Sequence, residues 1–238
     1  MNYMGEDVSR KDGVRDMFNA IAYRYDFLDH LMSFGIDHYW RRRALDYLKK
    51  DSPKLMLDVA TGTADLAIKA AIMLKPDKII GVDIAEKMLE VGKAKVDKKA
   101  LTAVIDLQKG DAEALGFPDN HFDAITIAFG VRNFMNTEKG LSEMLRVLKK
   151  GGRIVILEFS MPQKFPVKQF YGCYFNFLVP QLGRYFARHK IAYEYLPGSV
   201  SVFPYGENFV RILKDTGFKN IEFKTLTFGI CTVYSGLK

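Results

Sequence analysis

From residue 54 onward the chain switches repeatedly between two apolar patterns. Short continuous runs predict strands over 55–60, 78–83, 103–108, 123–129 and 153–159, and longer amphipathic stretches predict helices over 64–75, 85–96 and 137–149. Strands that alternate with helices run parallel, joined by crossovers. Because the strands are apolar throughout and do not alternate with polar residues, helices must cover both faces of the sheet. Ahead of this region, Val14, Met17, Phe18 and Ile21 recur at helical spacing until Ser33-Phe34-Gly35 breaks the pattern. A second helix is expected from about Asp37 to Lys50, ended by Pro53. After the fifth strand, Pro162, Pro166, Pro180, Pro197 and Pro204 punctuate a segment rich in Tyr and Phe, read as an insertion over 161–205 on the substrate side. A helix over 206–215 and strands over 219–226 and 230–236 follow, with Gly229 in the short turn of a hairpin and the last strand antiparallel. The expected fold class is α/β, Rossmann-like, a mostly parallel seven-stranded sheet in one domain over 1–238.

Composition changes this picture little. With 238 residues, 48% hydrophobic and 26% charged, the chain has the make-up of a globular domain with a sizeable core. Its longest apolar stretches fall far short of the ~20 residues that span a bilayer, and no secretory signal opens the chain, so a cytoplasmic protein is expected. Two cysteines, with no Cys-x-x-Cys or His-x-x-x-His spacing, give no sign of a disulfide framework or a metal site. The net charge of +7 favours anionic partners without naming one.

Candidate chemistry gathers at the predicted strand ends, where ligands of open α/β sheets bind. Asp58 ends the first strand ahead of Thr61-Gly62, and Asp83 ends the second, 25 residues later. A strand-end carboxylate can take both hydroxyls of a ribose, although Asp83 would serve equally as a helix cap and Asp58 as a turn residue. The first turn carries only one glycine, flanked by Ala60 and Ala64, where a backbone touching a pyrophosphate needs several; the ligand is read as a nucleoside without phosphates. Asp111 follows Gly110 after the third strand, and Arg132 follows Phe129-Gly130-Val131 after the fourth. By default these are a turn acid and a solvated loop arginine, and Arg41-Arg42-Arg43 is a solvated helix face.

The strand ending at Asp58, the acid at Asp83, the Gly110-Asp111-Ala112-Glu113 turn and the Leu148-Lys149-Lys150-Gly151-Gly152-Arg153 segment together resemble the class I S-adenosylmethionine-dependent methyltransferases. Tyr25-Asp26-Phe27-Leu28 with Ser33, His38, Trp40 and Arg41, then Phe129 to Asn133, and Arg146 to Gly152 leading to Glu158-Phe159-Ser160, are similar to the signatures of the menaquinone/ubiquinone biosynthesis C-methyltransferases. Ala128 departs from relatives that carry a serine there. The resemblance implies S-adenosyl-L-methionine as cofactor, with Thr61 and Gly62 on its methionine part and Asp111 and Ala112 on adenine. It implies a helical lid over 1–50, with Phe18, Tyr23 and Tyr25 closing on the sulfonium.

It also implies C-methylation of a polyprenyl quinol, demethylmenaquinol to menaquinol, or alternatively a ubiquinone-pathway benzoquinol. Arg132 would hold the quinol oxyanion, with Asn133, His189 and Tyr193 on the substrate side. Peripheral contact with the inner face of the cell membrane is expected, from the aromatic run Tyr171, Tyr174, Phe175, Phe177, Tyr185 and Phe186 interleaved with Lys164, Lys168, Arg184, Arg188 and Lys190. Against an RNA or DNA substrate, the segment after strand four lacks the Pro-Pro-aromatic turn that holds a flipped base, so no nucleic-acid partner is expected. A non-catalytic nucleoside-binding module is the remaining rival.

Overall fold

The structure, a computed structural model, describes residues 3–174 and 190–238. Its described elements run α1 (Tyr3–Met32), α2 (Asp37–Leu45), β1 (Leu55–Val59), α3 (Asp65–Leu74), β2 (Lys78–Asp83), α4 (Glu86–Lys98), β3 (Ile105–Lys109), β4 (Phe122–Ala128), α5 (Thr137–Val147), β5 (Leu148–Phe159), α6 (Val167–Cys173), α7 (Lys190–Val202), α8 (Glu207–Thr216), β6 (Lys219–Leu226) and β7 (Cys231–Leu237). The strands form one sheet in the order β3-β2-β1-β4-β5-β7-β6. β1 pairs in parallel with β2 and β4, and β7 is antiparallel to both β5 and β6. The sheet is therefore mostly parallel with seven strands, as expected, and its order reverses between β1 and β4, where an open α/β sheet leaves a crevice at its strand C-terminal ends.

Successive residues of β1 point to opposite layers, and its apolar residues find apolar partners on both. Met56 joins Trp40, Leu45, Leu48 and the small face of α3, Ala67, Ala70 and Ala71. Leu57 and Val59 join Leu141 and Met144 of α5 and Phe209 and Leu213 of α8. That is why the strand sequence is apolar without alternation.

The element boundaries differ most at two places. The third crossover helix, α5, stops at Val147, and β5 begins at Leu148, earlier than residue 153, because Leu148 pairs with Phe122 before an irregularity in the β4–β5 register; Gly151, at φ +77°, supplies the left-handed backbone next to it. The second helix ends at Leu45 and a 3-10 turn, Asp46–Leu48, completes it.

α1 is a single helix of 30 residues laid along the crevice. Its own stripe of apolar side chains is short, so polar contacts at the crevice rim fix its position: Lys11 Nζ lies 2.7 Å from Asp111, Asn19 Oδ1 accepts from Lys87 N at 3.0 Å, and Asp26 accepts from Thr63 Oγ1 at 2.5 Å and Lys95 Nζ at 2.6 Å.

Candidate active site

The turn after β1 is built under strain. Ala60, Gly62 and Ala64 all have left-handed backbones, φ +51°, +56° and +66°. Glycine adopts this freely, whereas each alanine costs about 1–2 kcal/mol. The tight turn carries the Gly62 N–H to Asp83 Oδ2 at 2.8 Å and the Thr61 N–H to the Val82 carbonyl at 3.0 Å. Small residues are needed here, because a Cβ on Gly130 would lie 2.5 Å from the Cβ of Ala60.

Asp58 sits behind this turn, 1% exposed, its two oxygens accepting from the hydroxyls of Thr61 and Thr126, both at 2.6 Å. Burial pushes its carboxyl up to about 6, against the pull of those two hydrogen bonds. It holds Thr61 in place and does not line the crevice, nor does Thr61.

Asp83 does line it. Besides Gly62, its carboxylate accepts from Ala85 N at 2.9 Å, at the start of α4, so the strand end and the helix start are served by one side chain. Burial raises its pKa, opposed by these backbone donors. Asp111 accepts from Glu113 N at 2.9 Å through one oxygen and from Lys11 Nζ through the other, and Lys11 also lies 3.2 Å from Glu113.

Gly62, Asp83, Asp111, Ala112, Ala128 and Asn133 line the resulting cleft from the sheet side, and Lys11, Val14, Phe18 and Tyr25 line it from α1. It encloses about 90 Å³. Ligand pockets of this kind usually start at about 300 Å³, so α1 and Lys11 must give way before a nucleoside fits. Tyr23, by contrast, is 75% exposed and donates from its hydroxyl to Glu90 at 3.3 Å, away from the cleft.

A second cavity of about 360 Å³ adjoins the first, and Phe18 and Tyr25 line both. Its wall is mainly apolar: Met17, Ile21, Met32, Trp40, Phe159 and Ile230. Trp40 meets Phe129 and Phe159 edge-on at 6.2 and 6.0 Å and donates from its indole N–H to Thr227 Oγ1 at 2.7 Å.

Arg132 enters this wall as a buried cation. Its side chain is 5% exposed, Nη1 pairs with the fully buried Glu158 at 2.7 Å and also donates to the Phe129 carbonyl, and the guanidinium lies 5.4 Å from the Phe159 ring centre. Burial alone would lower its pKa, but the Glu158 carboxylate raises it, so the charge is held. Its Nε is buried without a partner. Tyr25 is held as a neutral phenol, its pKa driven up by burial.

Asn133 lines the first cleft, and its Oδ1 accepts from the hydroxyl of Tyr195, which lines the second, at 3.0 Å. Tyr193 falls on α7, whereas His189 lies outside the described residues, as do Phe175, Phe177, Arg184, Tyr185, Phe186 and Arg188.

One reading needs correction. Arg41 is not part of a solvated basic face: it is 4% exposed, with Nη2 on Asp29 at 2.8 Å and Nη1 on Asp37. The i,i+4 spacing from Asp37 to Arg41 is visible in the sequence, but the second partner, Asp29, comes from α1. His30 and His38 also approach Asp37, at 3.0 and 3.7 Å, the one gathering of metal-ligand types among the described residues; its central carboxylate is already shared by Ser33 and Arg41. Glu158, which enters the sequence reading only within a family signature and without a role, stands out as an acid inside the otherwise apolar run 154–159, whereas nothing local marks Lys11 or Tyr195.

A sequence profile of the ubiE/COQ5 methyltransferase family matches residues 6–238. A demethylmenaquinone methyltransferase of Bacteroides fragilis is 46% identical over 245 residues, covering 100% of both chains. A ubiquinone/menaquinone biosynthesis C-methyltransferase of Geobacter sulfurreducens is 46% identical over 226 residues, 94% of this chain and 88% of its own. Among solved structures, an S-adenosylmethionine-dependent methyltransferase of Thermotoga maritima superposes with a TM-score of 0.66 at 19% identity, covering 94% of this chain and 98% of that one. Phosphoethanolamine N-methyltransferase 2 of Haemonchus contortus in complex with S-adenosyl-L-methionine gives 0.60 at 19% identity, over 83% of this chain and 52% of that one. At these identities the two structures establish the fold alone.

Proposed function

The chain belongs to the ubiE/COQ5 methyltransferase family, and from that membership we propose how its two cavities share the work of placing a methyl group on a quinone ring. It is an S-adenosylmethionine-dependent C-methyltransferase of quinones. We take the substrate to be a reduced polyprenyl naphthoquinol, demethylmenaquinol, after the relatives matched over the full chain. The observation that carries the division of labour is the shared wall: a cleft of strand-end carboxylates and an apolar cavity meet at Phe18 and Tyr25.

The cleft residues fit the cofactor's chemistry. Asp83, at the end of β2, is placed to take the ribose hydroxyls, and Asp111, already bonded to a cationic N–H donor, to take the adenine amine next to the Ala112 backbone. Gly62 lies in the turn that faces the methionine part, with Thr61 and Asp58 bracing it from behind. The cofactor supplies an activated methyl on a cationic sulfur. The rings of Phe18 and Tyr25 lie where they favour that charge and exclude water, with α1 as the lid.

In the second cavity the protein makes the ring carbon electron-rich by stabilising an ionised ring hydroxyl. Arg132 does this: its charge is fixed by Glu158 and its unpartnered Nε is free to donate to an oxygen anion. Asn133 and Tyr195 orient the ring between the two cavities, and His189 or Tyr193 takes the proton. The apolar wall accepts the start of the isoprenoid tail, whose remainder requires peripheral contact with a membrane. Among the described residues no helix is long and apolar enough to cross one.

The test is to incubate the protein with labelled S-adenosylmethionine and reduced demethylmenaquinone or demethoxybenzoquinone analogues. Label in the naphthoquinol ring is expected; label only in the benzoquinol would replace the substrate, and no transfer to either would overturn the reading.

A further inference from the structure

Four phenylalanines are turned out into solvent on segments that line the apolar cavity. Phe34 is 74% exposed, Phe165 80%, Phe170 74% and Phe228 81%. They come from three segments far apart in sequence: the α1–α2 corner, the approach to α6 with α6 itself, and the β6–β7 turn. Each segment also lines the cavity, through Phe34, Phe170 and Thr227 among others.

The segments are joined into one rim. The Tyr174 hydroxyl donates to the Met32 carbonyl at 2.6 Å, and its ring lies 6.1 Å from that of Phe34. Ser160 Oγ donates to the Gly229 carbonyl at 2.8 Å, tying the β6–β7 turn to the stretch that leads to α6, while Trp40 ties the same turn to α2.

Two of these rings are displayed at a conformational cost. Phe34 has φ +51° at the end of α1, where the Gly35 N–H closes back on the His30 carbonyl at 2.8 Å; glycine is the usual residue at such a left-handed helix end. Thr227 and Phe228 follow suit at +47° and +57°. Folding alone gives no reason to hold large aromatic residues in strained backbone and then leave them in water.

The charge at the rim is one-sided. Lys164 and Lys168, exposed beside Phe165 and Phe170, have no ion-pair partner among the described residues, on a chain whose net charge is +7. Aromatic rings with unpaired ammonium groups between them match the interfacial zone of a bilayer that carries anionic headgroups.

Resting on the quinol reading above, we propose that the Phe34–Phe165–Phe170–Phe228 rim is the surface by which this protein docks on an anionic lipid bilayer, with the cavity mouth facing the membrane so that a lipid-tailed substrate enters without crossing water.

The test uses the full chain in cosedimentation with vesicles of phosphatidylcholine, with and without phosphatidylglycerol. Phe165 and Phe228 do not line the cavity, so F165S/F228S is expected to bind both vesicle types about tenfold more weakly. K164E/K168E is expected to weaken binding only to the phosphatidylglycerol vesicles, and to flatten its salt dependence. Both variants should methylate a water-soluble naphthoquinol bearing one prenyl unit at the unaltered rate, and lose transfer to a long-tailed quinol embedded in vesicles. Wild-type protein that ignores vesicles, or variants that bind like wild type, would overturn the docking surface. Failure of wild-type protein to methylate any quinol, with vesicle binding still dependent on these residues, would instead overturn the substrate reading and support the surface.

Discussion

The two cavities share a wall yet are made of different materials. The cleft over β1, β2 and β3 is shaped by backbone and carboxylates: a strained turn, the Gly62 N–H on Asp83, and acids at successive strand ends. The larger cavity is shaped by side chains from α1, α2, α6, α7 and the β6–β7 turn, with the buried Arg132–Glu158 ion pair at its wall. A cleft built from backbone fixes where a polar ligand's hydrogen bonds must go. A cavity walled by Met, Ile and aromatic side chains fixes little beyond apolar shape, so orientation there falls to a few polar groups. On the function proposed above, the cleft therefore governs binding of the cofactor, and the ion pair governs turnover.

Substitutions on either side of the shared wall can break that contrast. The largest effect is expected for Asp83→Ala, which removes the acceptor for two hydroxyls: at about 1.5–3 kcal/mol for each charge-assisted bond, cofactor affinity measured by calorimetry should fall by roughly a hundredfold or more. Wild-type affinity would remove Asp83 from the site. Arg132→Lys keeps the charge beside Glu158 but loses Nε, and should lower kcat about a hundredfold with cofactor affinity unchanged. Arg132→Ala is a poorer probe, since an unpaired buried Glu158 would cost about 3–5 kcal/mol of stability.

Asp58 offers a test of the bracing role. A carboxyl raised from 3.8 to about 6 favours the protonated form in the folded state, so its contribution to stability is fully present below pH 3.8 and lost as pH rises through 6, a difference of about 3 kcal/mol. Asp58→Asn should abolish that component. Denaturant midpoints of variant and wild type at pH 4.5 and 7.5 would show it, and equal pH dependence in the two would refute it. The smallest effect is expected at Lys11, whose partly exposed ion pair is worth at most about 1 kcal/mol. Lys11→Ala frees Asp111 and should tighten cofactor binding a few-fold; weaker binding would mean that Lys11 contributes to the site.

The sheet side of the cleft was legible in the sequence because each of its parts is local. Asp83 and Asp111 lie at or just past the ends of apolar runs, and the parallel order of β1, β2 and β3 brings those ends together. Asp58 shows where such reading stops: its place at the end of β1 is plain, but that its oxygens turn inward to Thr61 and Thr126 depends on a strand 68 residues away. Arg41 shows the same limit, since an arginine in a basic run carries no mark of the buried acids that will surround it.

The sequence by itself determined the order of strands and helices, the continuous apolar runs that require a sheet covered on both faces, and the strand-end acids, because these follow from periodicity and from residue types fixed along the chain. Only the tertiary structure decided that α1 lies over the cleft with Lys11 on Asp111, that Arg132 is paired with Glu158 and not solvated, and that three segments bearing exposed phenylalanines line one cavity. The physical reason is that these contacts join residues about 25 to nearly 200 positions apart, and their energies arise from burial and from charges meeting at low dielectric, conditions that exist only once the chain has closed on itself.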